Sequence, residues 1–377
     1  MQEIIDQLAA TIREAAAQKT ALCIRGGGSK DFYGGALRGE SLSIGAYRGI
    51  IDYEPSELVI TARAGTPLAD IEATLAGCGQ MFAFEPPHFG ALPSPLAPLP
   101  QAGEGKVVLA SPSYKVATLG GCIAAGLSGP RRAYAGAVRD NVLGARILDG
   151  KGDDLKFGGQ VMKNVAGFDV SRLLAGSLGT LGAILEASLK VLPLPAADAT
   201  TRFEHTAADA IALMNEWAGK PLPLSATAWH DGQLYVRVSG ASAAVDAAMK
   251  TLGGERIDDI EAKSYWQGIR DHAAEFFRTL KPLWRLSIKS TTPPLNLPGA
   301  QLIEWNGSLR WLATDADAPA VREAAQFGGG HATLFRGGDK AAGVFQSLPP
   351  ALMTIHRKLK HAFDPAGIFN PGRMYDY

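Results

Sequence analysis

The sequence predicts an α+β fold in more than one domain, on three observations. The 377 residues are too many for one small core. The first half places glycine-rich turns directly after short β-like runs, at Arg25-Gly26-Gly27-Gly28-Ser29 and Ala117-Thr118-Leu119-Gly120-Gly121. Beyond Pro193 and Pro195 the pattern changes to strands and helices joined by the two-residue turns Asp231-Gly232 and Asn306-Gly307, which is the signature of antiparallel hairpins.

The elements follow in order. Ile4, Ile5, Leu8 and Ile12 share one face of a helix over 3–17. A strand at 21–24 runs into the first glycine segment. Short strands are expected at 41–45, 48–53 and 58–63, and Pro67 opens a helix carrying Leu68, Ile71 and Leu75. Residues 86–105 hold six prolines, which excludes helix and central strand and predicts an exposed, mobile loop. A strand is expected at 107–110, a hairpin over 142–157 around Asp149-Gly150-Lys151-Gly152, a short helix at 171–175 and a strand at 183–192. The second half reads as strands 200–205, 224–230, 233–239, 283–290, 301–306, 308–313 and 331–335. Its helices are expected at 207–218, 241–252, 259–278, 318–327 and 349–363.

Composition narrows the function. With 37 basic and 37 acidic residues, the charge balance argues against a nucleic-acid binder working through a basic face. Cys23, Cys78 and Cys122 form no Cys-x-x-Cys pair, so neither an iron–sulfur cluster nor a structural zinc is expected, and free thiols fit a reducing cytosol. The N-terminus lacks a signal-peptide pattern, and no run is long enough to span a bilayer; membrane association is expected to be peripheral at most, at the inner face and through partners. The 44 glycines are clustered, as ligand-binding turns require. Gly26-x-Gly28 is followed by Ser29-Lys30-Asp31 with no helix pattern, unlike a Rossmann fingerprint, and Gly105-Lys106 precedes Val107, unlike a P-loop. Two glycine segments, each entered from a strand, suggest a long diphosphate ligand held from two sides.

These segments, with Pro112-Ser113 and the third turn Gly176-Ser177-Leu178-Gly179-Thr180-Leu181-Gly182, resemble the FAD-binding family of vanillyl-alcohol oxidase and p-cresol methylhydroxylase (PCMH) type. Gly129-Pro130-Arg131-Arg132, Gly136-Ala137-Val138-Arg139-Asp140, Val161 to Asp169 and Gly330 to Arg336 are similar to the FAD-binding E subunits of bacterial glycolate oxidase. The resemblance implies a two-part PCMH-type FAD-binding domain at 1–195, an antiparallel α+β cap over 196–336 and a C-terminal segment, 337–377, returning to the flavin. It implies FAD contacts from Arg25, Gly26, Gly27, Gly28, Ser29, Lys30, Pro112, Thr118, Leu119, Gly120, Gly121, Arg139, Asp140, Gly182, Ala183, Ile184, Asn370 and Arg373. Ser29 stands where covalent members often carry His, so the flavin is expected to be non-covalent and released by acid. Gly328 to Leu334 lacks the Asp, Asn and second His that supply a metal ligand in related 2-hydroxy-acid dehydrogenases, so no metal is expected.

The same resemblance implies oxidation of glycolate, and of D-lactate, to the 2-oxo acid. Electrons would pass through an iron–sulfur subunit to quinone, beside a second related flavoprotein subunit. This chemistry needs a base for the hydroxyl proton and a cation for the carboxylate. His331 is the candidate base, and Arg285, Lys289 and Arg336 are the candidate anchors. Trp284, Trp305 and Trp311 read as core or interface residues. Two alternatives stay open at this stage: a non-catalytic FAD-binding or electron-relay subunit, and a stand-alone FAD-dependent alcohol or lactone oxidase.

Overall fold

The computed structural model describes residues 1–89, 115–159 and 169–377. The expected proline-rich loop lies largely outside these residues, as do the 107–110 strand, Pro112 and most of Val161 to Asp169.

The first helix, Gln2–Gln18, turns Ile5, Leu8, Ile12 and Ala15 inward. Strand Leu22–Arg25 then pairs in parallel with Glu40–Ser43. A five-stranded antiparallel sheet follows, in the order Ile50–Glu54, Val59–Arg63, Ala183–Lys190, Val142–Leu148 and Asp154–Gly158. Helices Leu68–Gly77 and Leu119–Ala125 pack Leu68, Ile71, Leu75, Leu119, Cys122 and Ile123 into the core of this sheet.

Between Pro193 and Ala197 the chain leaves a small strand pair with Gln80–Met81 and enters an eight-stranded antiparallel sheet. Its order is Glu255–Arg256, Ala197–Glu204, Gln233–Gly240, Leu224–His230, Ala300–Glu304, Leu309–Ala313, Leu283–Ser287 and His331–Arg336. Because successive side chains point to opposite faces, each strand serves two cores. The outer face takes helices Ala207–Ala218, Ser242–Leu252 and Ala318–Phe327, with Ile303, Trp284, Leu286 and Leu312 beneath them. The inner face takes helix Asp259–Arg270 near Ala226 and Ala228. Further along, Leu302, Leu309, Trp311 and Phe335 pack against Tyr33, Ala125, Leu127 and Leu178 of the first half. Glu85 ties the two halves together: it pairs with Arg237 of the sheet at 2.8 Å and with Arg131 at 3.5 Å.

The C-terminal helix, Pro350–Phe363, leads the tail back to the first strand, where Leu22 N–H donates to the Ile368 carbonyl (2.7 Å) and Asn370 N–H to the Leu22 carbonyl (2.9 Å). Three elements differ from the sequence reading. The helix expected over 259–278 stops at Arg270, and the strand expected over 283–290 stops at Ser287. The second glycine segment, read as a loop, starts a helix. Among the described residues no helix is long and apolar enough to cross a membrane.

Candidate functional site

The two glycine segments lie against each other, which explains several of the glycines sterically. Val116 N–H donates to the Gly27 carbonyl at 3.1 Å, and a Cβ on Gly27 would stand 2.0 Å from the Val116 oxygen. A Cβ on Gly26 would stand 2.3 Å from Thr118 Oγ1, and one on Gly120 would stand 2.7 Å from the Ala64 Cβ. Thr118 caps the short helix that follows, accepting from Gly121 N–H at 3.4 Å. The third turn meets the tail through Asn370, which accepts from Ile24 N–H (2.8 Å) and donates to the Leu178 carbonyl (2.6 Å). Arg373 donates to the carbonyls of Gly35, Asp31 and Lys30, so the C-terminal tail fixes the far side of the first glycine loop.

Between these segments runs a cleft of two adjoining compartments, about 400 and 510 Å³, which share Ile24, Gly26, Thr118, Gly121, Ala124 and Leu178. The first is walled by Ile44, Ala64, Gly182 and Ile184, an apolar lining suited to a planar ring. The second is walled by the Gly26–Ser29 backbone with Arg25 and Lys30, a lining suited to a diphosphate. Arg25 pairs with Asp31, yet its Nε is buried without a protein partner, and burial pulls the Lys30 ammonium below its ordinary pKa. A cradle that Cβ atoms would fill, an orphaned guanidinium nitrogen and an apolar slot together fit FAD.

Of the residues expected at FAD, Arg25, Gly26, Gly27, Gly28, Ser29, Lys30, Thr118, Gly120, Gly121, Gly182, Ile184, Asn370 and Arg373 line the cleft. Leu119 and Ala183 do not: at 1% and 0% exposure they lie in the core beneath it. Arg139 and Asp140 are exposed on the four-residue helix Val138–Asn141, where the Asp140 carboxylate accepts from Ala137 N–H at 2.8 Å. Neither is part of the cleft lining. Pro112 lies outside the described residues.

A separate small chamber opens where the inner face of the eight-stranded sheet meets the first half. Strand register explains its occupants. Arg285 sits between Trp311 and Thr333 on the inner face, while its neighbours Trp284 and Leu286 point into the outer core. The Arg285 guanidinium lies 5.3 Å from the Trp305 ring centre. Among the described residues no carboxylate forms an ion pair with it. Arg270 also lines the chamber, but Asp271 holds its head at 2.7 Å.

Two chamber residues went unnoticed in the sequence. His272 follows the early end of helix Asp259–Arg270 and takes φ +56°, a conformation few non-glycine residues adopt. Its imidazole stacks on Phe277 (3.9 Å between ring centres, 4° between planes) and meets the edges of Phe89 and Trp311. Its Nδ1 is buried without a partner. Burial, then the charges of Arg336 and Arg285, hold its pKa well below the usual histidine range, so the ring is neutral. Glu304, at 3% exposure, accepts a hydrogen bond from Trp311 Nε1 at 2.7 Å. Burial pushes its carboxyl up to about 8, against the opposing pull of Trp311 and Arg285. No local signal marks either residue. Ile269, Phe276 and Phe277 keep helical spacing across His272, and Glu304 reads as an ordinary acid at a strand end.

Of the four residues expected to act on substrate, only Arg285 lines the chamber. His331 begins its strand on the inner face with much of its surface open to solvent; partial desolvation, then the Arg285 charge, lowers its pKa. Lys289 is exposed beyond the end of its strand. Arg336 donates to the Phe277 carbonyl at 2.5 Å, bracing the turn on which His272 rests. The chamber borders the cleft at Phe89, whose ring centre is 5.5 Å from Lys30 Nζ. Among the described residues no group of three or more His, Cys, Asp or Glu side chains is placed to hold a metal ion.

Comparison with known proteins points to the same cofactor. The family model for the FAD binding domain matches residues 3–91, and that for the C-terminal domain of FAD linked oxidases matches 336–374. The chain is 44% identical to the glycolate oxidase subunit GlcE of Escherichia coli over 364 residues, 97% of this chain and 95% of that one. It is 42% identical to the glycolate oxidase subunit GlcD of Bacillus subtilis over 83 residues, 22% of this chain and 18% of that one. A solved alkyldihydroxyacetonephosphate synthase superposes with a TM-score of 0.63 at 14% identity, covering 97% of this chain and 74% of that one, which is a likeness of fold. Identity at the GlcE level along nearly the whole of both chains makes this protein a member of the FAD-binding glycolate oxidase subunit family, within the PCMH-type FAD-linked oxidoreductases, with FAD as its cofactor.

Proposed function

We propose that this chain is the FAD-carrying subunit of a multi-subunit glycolate oxidase. On this reading it oxidises glycolate and D-lactate to the 2-oxo acid, and an iron–sulfur partner carries the electrons onward to quinone. The observation that carries the reading is the presence, in one chamber beside the cleft, of a guanidinium that forms no ion pair among the described residues and an imidazole whose buried Nδ1 has no partner. In the cleft, the Gly26–Ser29 and Thr118–Gly121 backbones would hold the FAD diphosphate, and Ile44, Ala64 and Ile184 its ring. Among the described residues the cleft lining contains no His, Cys or Tyr, and Ser29 supplies a hydroxyl, which supports a non-covalent flavin. Bound FAD supplies a two-electron acceptor for the hydride leaving the α-carbon.

The remaining work falls to side chains of the chamber. Arg285 grips the substrate carboxylate, since a planar guanidinium matches a carboxylate in two hydrogen bonds. That grip fixes the α-carbon relative to the wall. His272, kept neutral by burial and by the charges of Arg336 and Arg285, accepts the hydroxyl proton as the carbonyl forms. Phe89, Trp311 and Phe335 exclude water from the transfer. Support for the substrate class comes from the GlcE and GlcD relatives and from a D-lactate dehydrogenase of Anaerostipes hadrus, 37% identical over 92 residues, 24% of this chain and 19% of that one.

The test is the flavin spectrum of the purified, FAD-loaded chain under anaerobic conditions, with glycolate and D-lactate added in turn. Bleaching by either acid is expected, with re-oxidation by a quinone only when the iron–sulfur partner is restored. A flavin untouched by both acids, in protein that binds FAD fully, would transfer the oxidation to the partner flavoprotein.

A further inference from the structure

Glu304 and Arg285 line the same small chamber, yet no ion pair joins them. Glu304 reaches the chamber from the last position of strand Ala300–Glu304, on the inner face with Leu302 and opposite Leu309 and Ala228. One of its oxygens is committed to the Trp311 indole N–H at 2.7 Å. Among the described residues the second accepts no hydrogen bond, and it is not one of the fully buried side-chain atoms left without a partner. Glu304 lines the chamber, so this oxygen is the one left free for a ligand there.

We propose that Glu304 serves the chamber as a neutral carboxylic acid whose hydroxyl donates to the bound 2-hydroxy acid, so that this residue, with Arg285, restricts the chamber to ligands carrying one negative charge. The inference rests on the proposed function and adds to it a residue that reads ligand charge. An ionised Glu304 would pair with Arg285 and cancel the free cation that an anion needs. A protonated Glu304 leaves that cation available and adds a donor, as a carboxylic acid in an apolar site is able to do.

The surroundings favour the neutral form. Trp311 offers one N–H, Arg285 is shared with the ligand, and His272 is neutral. The Arg270 and Asp271 charges are paired with each other, and Glu85 is paired with Arg131 and Arg237. Tyr265, buried on helix Asp259–Arg270, is also neutral, and its pKa stands well above its ordinary value. Burial of Glu304 agrees in direction, raising its carboxyl to about 8.

The experiment measures binding of 2-hydroxy-2-methylpropanoate, a monocarboxylate with no α-hydrogen to lose, to the FAD-loaded chain by calorimetry across pH. In the wild type, affinity is expected to be constant below about pH 8 and to fall up to about tenfold per unit above it. In Glu304→Gln, which keeps an acceptor for Trp311 and a donor for the ligand, affinity should stay within a few-fold of wild type at low pH and lose the fall. A wild type with no such fall, or a variant that falls alike, overturns the proposal. Infrared difference spectra give a second reading that needs no binding by the variant. A protonated carboxyl band at neutral pH that shifts on ligand binding supports the assignment, and its absence from wild type overturns it. Glycolate bleaching is scored separately: a chain that binds with this pH dependence but is never reduced would refute the oxidation while leaving the role of Glu304 standing.

Discussion

Lys360 gives the sharpest structural prediction. Its ammonium, on a residue 6% exposed, donates to the Thr180 carbonyl (2.8 Å), the Phe369 carbonyl (2.8 Å) and the Asp364 carboxylate (2.6 Å). One charge thus ties the C-terminal helix to the third glycine turn and to the tail that adds beside Leu22. Lys360→Met removes all three bonds and leaves Asp364, 1% exposed, with only the N–H groups of Ile368 and Phe369. Removing one partner of a buried ion pair costs about 3–5 kcal/mol, and the two carbonyls left without a donor lie within that range rather than adding to it. Burial already lowers the Lys360 pKa, so part of the pair's attraction is offset and the lower end, about 3 kcal/mol, is expected. Urea unfolding followed by tryptophan fluorescence measures the loss, and FAD affinity should fall with it because Thr180 sits in a cleft-forming turn. The double variant Lys360→Met/Asp364→Asn should recover part of the loss, since no unpaired charge remains. A loss under about 1 kcal/mol in the single variant, or no recovery in the double, would show that the three bonds do not act as a clamp.

Gly27→Ala places a Cβ 2.0 Å from the Val116 carbonyl oxygen, so about 1–3 kcal/mol of stability and most of the bound FAD should be lost, measured by unfolding and by the flavin-to-protein absorbance ratio. Arg285→Ala should leave FAD content unchanged and weaken acid binding by about 2–5 kcal/mol, read as the substrate concentration that half-saturates flavin reduction. His272→Asn should slow flavin reduction by about a hundredfold or more at saturating acid with little change in that half-saturating concentration, whereas His331→Asn should leave both near wild type. The raised Glu304 carboxyl also predicts a slope in stability. The folded state keeps its proton after the unfolded chain has lost it, so stability falls by up to about 1.4 kcal/mol per unit as pH climbs from 4.5 toward about 8; that slope should be absent from urea titrations of Glu304→Gln.

What sequence could and could not show divides along contact distance. The strands and the glycine turns were legible because period-two alternation and glycine clustering are local, and Arg285 could be named from a strand assignment alone. The helix Leu119–Ala125 was hidden because Gly120 and Gly121 argue against helix locally. It forms because Thr118 caps it and Leu119, Cys122 and Ile123 are buried against the sheet, while Gly120 is required by the nearness of Ala64, which lies far away in the sequence. Arg139 and Asp140 were read from a motif resemblance, and their local geometry differs from that reading: the capping bond to Ala137 turns Asp140 toward its own backbone, and Arg139 lies on the surface. His272 and Glu304 depend on non-local geometry most of all. The first needs a helix to stop where its apolar spacing continues, so that Phe277, held by Arg336 from another strand, can stack beneath the imidazole. The second is buried only because strand Ala300–Glu304 takes a central place in an eight-stranded sheet, between Leu224–His230 and Leu309–Ala313. The cofactor cleft is therefore written in short motifs, while the chamber beside it is assembled from the inner ends of separated elements, and substitutions that test chemistry belong in the second set.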